Sequence, residues 1–65
     1  MDKPRCKLVG EDGNIFNLIG IASRTLKNNG QITQANEMAR RITQDGEAKS
    51  YDEALAIIME YVDVY

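Results

Sequence analysis

Apolar residues recur at helical spacing in three stretches of the chain, and this pattern predicts three helices. Side chains three and four positions apart lie on one face of a helix, so each stretch forms a single apolar stripe. The predicted helices span residues 14–28, 32–44 and about 50–60. Their stripes are Ile15/Leu18/Ile19/Ala22/Leu26, Ile32/Ala35/Met38/Ala39/Ile42 and Tyr51/Ala54/Leu55/Ile58/Tyr61/Val62. Phe16 and Ile21 widen the first stripe, which predicts that the first helix is buried on more than one side.

Capping and turn residues set where the helices begin and end. The predicted N-caps, given helix by helix, are Asp12 or Asn14, Gln31 or Thr33, and Ser50. Ser50 and Glu53 form a capping box, in which each side chain accepts the backbone N–H of the other residue. Gly30 and Gly46 end the first two helices, because glycine adopts the left-handed conformation freely. Gly20 predicts the close approach of another backbone, since glycine inside a helix otherwise destabilises it by about 1 kcal/mol relative to alanine.

The two ends of the chain alternate polar and apolar residues, which is typical of short strands. The segments are 5–8 and 61–65. If they pair, Lys7 and Asp63 are the expected neighbours across the pair. The sequence therefore predicts a mostly α (α+β) protein, a compact three-helix domain over residues 1–65 with short terminal strands. An all-α three-helix bundle is the alternative, and the sequence leaves open whether the ends pair.

The small size and the residue types of the chain limit what it can be. It has 65 residues, one cysteine and no histidine, and a core of this size supplies roughly 3–5 kcal/mol of net stability. The lone Cys6 excludes an internal disulfide, and a zinc site of the usual Cys/His type is excluded too. Residues 1–5 lead into no apolar signal segment, and no run reaches the roughly 20 apolar residues of a membrane-spanning helix. We expect a cytoplasmic protein without membrane contact, because small secreted domains usually carry paired cysteines.

The charge of the chain disfavours nucleic acid as a partner. The formal net charge is −2 and the sequence pI is about 4.9, whereas nucleic-acid binders use lysine and arginine to neutralise phosphates. Two basic pairs, Arg24/Lys27 and Arg40/Arg41, lie near the ends of the first two helices. In an antiparallel helix pair they are at opposite ends, roughly 15 Å or more apart. A small nucleic-acid-binding regulator is kept as an alternative function.

The sequence offers little machinery for catalysis. No histidine is present to activate Cys6, and the serines and tyrosines have no visible base partner. Cys6 is expected to be a small core residue, although Arg5 and Lys7 beside it favour the thiolate. We therefore predict no enzymatic activity, no catalytic residues and no cofactor.

A polar cluster before the first helix is a candidate site for a polar ligand. Glu11, Asp12 and Asn14 place two carboxylates and an amide beside a helix N-terminus. The pattern lacks the alternating oxygen ligands and the distant glutamate of a calcium loop, so no metal site is predicted. Turn formation and helix capping account for the same residues. A metal-responsive protein that uses this turn is a further alternative.

Tyrosine and methionine side chains in the last fifteen residues form a candidate interaction patch. Its members are Tyr51, Met59, Tyr61 and Tyr65, residue types that are favoured at interfaces. Tyr51 and Tyr61 also fit the core stripe of the third helix. The predicted function is a non-catalytic accessory or regulatory protein that acts through protein–protein contacts. Its partner is an unidentified protein or a second copy of the chain in a homodimer.

Two segments of the chain resemble a group of small uncharacterised bacterial proteins, some of which occur with phage or mobile elements. The first segment is 8–16, with the opening Val-Gly-Glu-Asp-Gly-Asn, and the second is the closing part, with Tyr-Asp at 51–52 and Met-Glu-Tyr-Val at 59–62. The resemblance covers most of the chain. It implies that the Gly-Glu-Asp-Gly-Asn turn and the Glu-Tyr-Val ending belong to one scaffold, and it implies no activity.

Overall fold

Three α-helices follow one another along the chain, and a short strand lies towards each end. The computed structural model describes residues 3–65, and Met1 and Asp2 of the predicted 1–65 domain lie outside the described residues. Within this range the elements are β1 (Arg5–Cys6), α1 (Ile15–Asn28), α2 (Ile32–Thr43), α3 (Tyr51–Tyr61) and β2 (Asp63–Val64). The predicted three-helix domain with short strands is confirmed. Because β1 and β2 pair, the all-α alternative is wrong.

The two strands pair in parallel, as strands separated by a long crossover connection do. Arg5 lies opposite Asp63, and Cys6 lies opposite Val64. Beyond this pair, the Tyr65 N–H donates to the Cys6 carbonyl oxygen at 3.0 Å. The pairing therefore ties the two ends of the described chain together.

The expected neighbours Lys7 and Asp63 are not paired, and that prediction is wrong. Val62 is the C-cap of α3 and its N–H still donates into the helix, so β2 begins only at Asp63. The Asp63 N–H donates to the Pro4 carbonyl oxygen at 2.9 Å. This bond sets Arg5, rather than Lys7, opposite Asp63.

The core lies between the three helices, each of which contacts the other two. Its largest fully buried side chains are Leu26, Met38, Ile58, Val62 and Cys6. The buried residues of α1 and α2 all belong to the predicted stripes, and they are Leu18, Ile19, Ala22, Leu26, Ala35 and Met38. Helical spacing therefore predicts the inner face of both helices correctly.

Four apolar residues depart from the predicted stripes. Tyr51, the first residue of α3, is 46% exposed although the third stripe includes it. Ile32 is exposed, because it is the first residue of α2 and lies beside the turn. Phe16 is also exposed, since it lies roughly 100° around α1 from Ile15 and points away from the core. Ile57, which no predicted stripe includes, is buried beside Ile58. The inner face of α3 therefore includes a position that the prediction lacks. On α1, Ile21 packs against the core as predicted, whereas Phe16 does not extend the buried stripe.

Side-chain caps begin α1 and α3. Asn14 caps α1, and its side-chain oxygen accepts the Phe16 N–H at 2.9 Å. The Ser50 hydroxyl caps α3 and accepts the Glu53 N–H at 3.2 Å. The Glu53 carboxylate accepts the N–H of Lys49 at 2.7 Å, not that of Ser50. The predicted capping box is thus confirmed on one side and shifted by one residue on the other.

The remaining helix signals have mixed outcomes. Gly30 and Gly46 have φ values of +74° and +68°, as expected of residues that follow a helix end. Gln31 occupies the N-cap position of α2, but its side chain makes no capping hydrogen bond within the described chain. Among residues 3–65, no atom outside the local backbone lies within 4 Å of a Cβ built at Gly20. The predicted close approach at Gly20 is therefore wrong, because this residue lies on the exposed side of α1.

Candidate functional site

An apolar groove opens where the N-terminal ends of α1 and α3 meet the C-terminal end of α2. Its volume is about 360 Å³. Apolar side chains form most of its walls, including Ile15, Phe16, Ile19, Ile42, Tyr51 and Ala54. Ile19 and Ala54 are buried, so the floor is continuous with the core, whereas Phe16 and Tyr51 are exposed at the rim. The groove is thus a concave apolar surface bounded by two aromatic rings.

The helix caps determine where these two rings lie. Because Asn14 caps α1, Phe16 is the second residue of that helix. Because Ser50 caps α3, Tyr51 is its first residue. The Tyr51 hydroxyl lies 3.6 Å from the position that a Cβ would take at Gly13. The start of α3 therefore packs against the turn that precedes α1.

Phe16 leaves a large apolar ring in water beside the groove. Phe16 is 71% exposed, the highest value among the exposed large apolar residues of the described chain, and Tyr51 is 46% exposed. Complete burial of a phenylalanine side chain is worth roughly 1.5–3 kcal/mol, so folding alone realises only a small part of this free energy. Exposed apolar surface of this kind beside a groove is typical of binding sites.

Carboxylates outnumber cations in the chain segments next to the groove-lining residues at the starts of α1 and α3, which we call the groove mouth. These carboxylates do not line the groove itself. Glu11 and Asp12 lie in the turn before α1, and Asp52 and Glu53 lie between the lining residues Tyr51 and Ala54. Lys49 is the cation next to them, just before α3. None of these five side chains has an ion-pair partner within residues 3–65. The groove mouth therefore carries net negative charge.

The predicted polar-ligand residues Glu11, Asp12 and Asn14 form the turn and cap that begin α1. The Asp12 carboxylate accepts the Asn14 N–H at 3.0 Å, and the Asp12 carbonyl accepts the Asn17 side-chain amide at 2.9 Å. The Glu11 side chain is exposed. Among the described residues, no group of three or more His, Cys, Asp or Glu side chains is arranged to hold a metal ion. Turn formation and capping account for the geometry of this segment.

The four residues of the predicted interaction patch do not lie together. Tyr51 begins α3, whereas Met59 and Tyr61 lie at its other end, roughly 12–15 Å away along the helix axis. Tyr65 is exposed, and the Arg5 guanidinium lies 4.2 Å from the centroid of its ring. Of the four, Tyr51 is the one that lines the groove.

Phe16 is the groove residue that the sequence analysis missed. The apolar pattern predicts that Phe16, like Ile21, widens the buried stripe of α1. The helical period carries the signal that locates it. Phe16 is rotated roughly 100° from Ile15 and roughly 200° from the buried Leu18, which places it outside the inner face of α1.

Arg41 joins the end of α2 to the end of α3. Its Nη1 donates to Glu60 Oε1 at 2.9 Å and to the Tyr61 hydroxyl at 3.0 Å. Its Nη2 lies 2.9 Å from Glu47 Oε1. Hydrogen bonds to Glu60, Tyr61 and Glu47 raise the pKa of Arg41, and the bond from Arg41 lowers the pKa of Glu60. The sequence alone does not bring these four residues together, because they come from three separate segments.

The two basic pairs considered as phosphate contacts have different surroundings. Arg40 lies 3.5 Å from the Asp45 carboxylate, and Arg41 is engaged as described above. Arg24 and Lys27 are exposed in the second half of α1. The carboxylates beside the α2 pair reduce its attraction for phosphate.

Cys6 lies in the core, as predicted. It is 1% exposed, and the Thr25 hydroxyl donates to its sulfur at 3.5 Å. Burial of this kind shields the thiol from solutes, which is typical of structural rather than reactive cysteines.

No helix within residues 3–65 has the length and apolar character required to cross a membrane. Comparisons of the chain with protein-family models, curated proteins and solved structures return no match. The resemblance of segments 8–16, 51–52 and 59–62 to small bacterial proteins stays a prediction. The site must therefore be interpreted from its own geometry and chemistry.

Proposed function

We propose that the protein is a non-catalytic accessory or regulatory module that binds a partner protein through the groove between Phe16 and Tyr51. The observation that supports this most is the exposed Phe16 ring beside an apolar groove of about 360 Å³. Aromatic side chains and the pockets beside them are the usual centres of binding energy in protein interfaces. A bound partner covers apolar surface that the free chain leaves in water.

The residue types around the groove support binding rather than catalysis. The chain contains no histidine, and the buried Cys6 does not belong to the groove lining. The Ser50 hydroxyl, which lines the groove, accepts the Glu53 N–H as a helix cap. A serine nucleophile needs a neighbouring base to activate it, and a capping hydroxyl serves a different purpose.

A cytoplasmic location and a bacterial origin belong to the same proposal. The unpaired Cys6 supports the location, because extracellular domains of this size usually contain disulfides. The resemblance of residues 8–16 to small bacterial proteins supports the origin. Neither point bears on which partner fills the groove.

Site-specific photo-cross-linking in living cells tests the proposal. A photoreactive phenylalanine derivative replaces Phe16 in one variant and Met59 in another, and Met59 is also exposed but lies outside the groove lining. We expect discrete protein adducts from position 16 and none from position 59. Adducts from position 59 alone, or from neither position, contradict the groove as the docking surface.

A further inference from the structure

We infer that the partner segment is a basic amphipathic helix, whose apolar face fills the groove and whose lysine and arginine side chains lie against the carboxylates of the groove mouth. This inference rests on the proposed function, because it specifies the chemistry of the partner at the same site. The charge of the groove mouth and the shape of the groove support it.

The charge of the groove mouth favours a cationic partner. The four carboxylates of Glu11, Asp12, Asp52 and Glu53 outnumber the single ammonium group of Lys49, and none of the five is ion-paired in the described part of the chain. The N-terminal ends of α1 and α3 contribute roughly half a positive charge each, and the C-terminal end of α2 contributes about half a negative charge. The groove mouth therefore keeps a net charge of about −2 to −3. Lysine and arginine flanking an apolar segment complement this charge.

The shape of the site favours a helix over an extended peptide. The ends of three helices bound the groove, and an amphipathic helix presents apolar anchors at positions i, i+3 or i+4 and i+7 to such a groove. An extended peptide usually binds by adding a strand to a sheet edge. Here β1 and β2 have two residues each, which is too short for a stable added strand. A volume of about 360 Å³ is near the lower limit of ligand pockets, and suits a few apolar side chains.

The same charge disfavours two other occupants of the groove. A second copy that docks groove to groove brings two acidic mouths together, and like charges oppose association. Nucleic acid brings phosphates towards carboxylates, which is unfavourable for the same reason. A homodimer through the groove is therefore an outcome that the experiment must detect.

Three fluorescent peptides with one shared Leu/Ile stripe test the inference. Each has about 18 residues, which is long enough for a helix. They differ only in the residues around the stripe, which are Lys/Arg, Gln or Glu. Fluorescence anisotropy with the full chain at low ionic strength gives the three dissociation constants. We expect the basic peptide to bind about tenfold more tightly than the neutral one, and the acidic peptide to bind most weakly.

Matched variants locate the charge effect at the groove mouth. Asp52→Asn and Glu11→Gln are each expected to reduce the preference for the basic peptide by about two- to threefold and to leave the affinity for the neutral peptide unchanged. Glu37→Gln is the control. It also removes one negative charge, but Glu37 lies in α2, outside both the groove lining and the groove mouth. Because Glu11 lies outside the helices, its variant keeps the test valid even if Asp52→Asn loosens the first turn of α3.

The possible outcomes separate this inference from the proposed function. Equal or tighter binding of the neutral or acidic peptide overturns the inference and leaves the proposed function in place. A dimer in light scattering that Phe16→Ser abolishes also overturns it, because a second copy then fills the groove. If none of the three peptides binds, the inference is again overturned, and the cross-linking at position 16 decides the proposed function separately.

Discussion

Replacing Phe16 by serine distinguishes what this side chain contributes to folding from what it contributes to binding. Phe16 is 71% exposed. Complete burial of a phenylalanine is worth roughly 1.5–3 kcal/mol, so the part buried by folding contributes about 0.5–1 kcal/mol. Serine and phenylalanine have similar helix propensities, so the substitution changes the free energy of unfolding little through the helix backbone. We expect the Phe16→Ser variant to fold with at most a small loss of stability.

The same side chain contributes more once a partner covers it. Burial of the part that folding leaves exposed is worth about 1–2 kcal/mol, which corresponds to binding about five- to thirtyfold weaker in the variant. Urea unfolding followed by far-UV circular dichroism measures the free energy of unfolding. Fluorescence anisotropy with the basic peptide measures the affinity on the same samples.

Met59→Ala is the matched control for this experiment. Met59 is 50% exposed at the far end of α3 and does not line the groove. We expect this variant to lose no affinity. The reasoning about Phe16 is refuted if Phe16→Ser lowers the free energy of unfolding by about 3 kcal/mol or more, as truncation of a buried phenylalanine does. It is refuted equally if the affinity of Phe16→Ser matches that of the wild type.

Three further predictions address the core, a helix cap and the Arg41 contacts. Leu26 is fully buried, so Leu26→Ala is expected to lower the free energy of unfolding by about 2–5 kcal/mol. This removes most of the roughly 3–5 kcal/mol of net stability that a core of this size supplies. A cooperative thermal transition at the wild-type midpoint contradicts this prediction. Ser50→Ala removes the acceptor of the Glu53 N–H and is expected to cost about 1 kcal/mol in urea unfolding, whereas an unchanged midpoint shows that the cap contributes nothing. Arg41 lowers the pKa of Glu60, so this carboxylate stabilises the fold above its ordinary pKa of 4.5, and the contribution is lost as the pH falls through the lower folded value. Urea unfolding across this acid range is expected to show a steeper loss of stability for the wild type than for Glu60→Gln, and parallel profiles contradict the prediction.

The sequence predicts the helices well because their two main signals are local. Apolar spacing identifies the inner faces of α1 and α2, and the pair Ser50 and Glu53 locates the start of α3 within one residue. The strand register has no local signal, because it depends on the residue at which α3 ends. Asp63 pairs with Arg5 only because Val62 remains bonded to the helix, and no residue pattern at the two ends encodes this.

The groove is only partly predictable for the same reason. Residue type identifies Tyr51 as an interaction residue but groups it with Met59, Tyr61 and Tyr65, none of which lines the groove. Composition indicates which side chains favour interfaces, whereas the packing of three helix ends determines which of them meet. Phe16 and Ile42 are 26 residues apart and line one groove, a proximity that only the fold creates.

The residues that begin α1 and α3 also determine the chemistry of the groove mouth. Asn14 and Ser50 cap these helices just before Phe16 and Tyr51, and the carboxylates near the two N-terminal ends interact favourably with the helix dipoles. The groove mouth is therefore acidic partly because acidic residues stabilise these helices. Loss of the charge at Asp52 is expected to weaken α3 as well as partner binding, whereas loss of the charge at Glu11, outside the helices, acts chiefly on binding. Comparing the two variants thus separates the contribution of this charge to folding from its contribution to recognition.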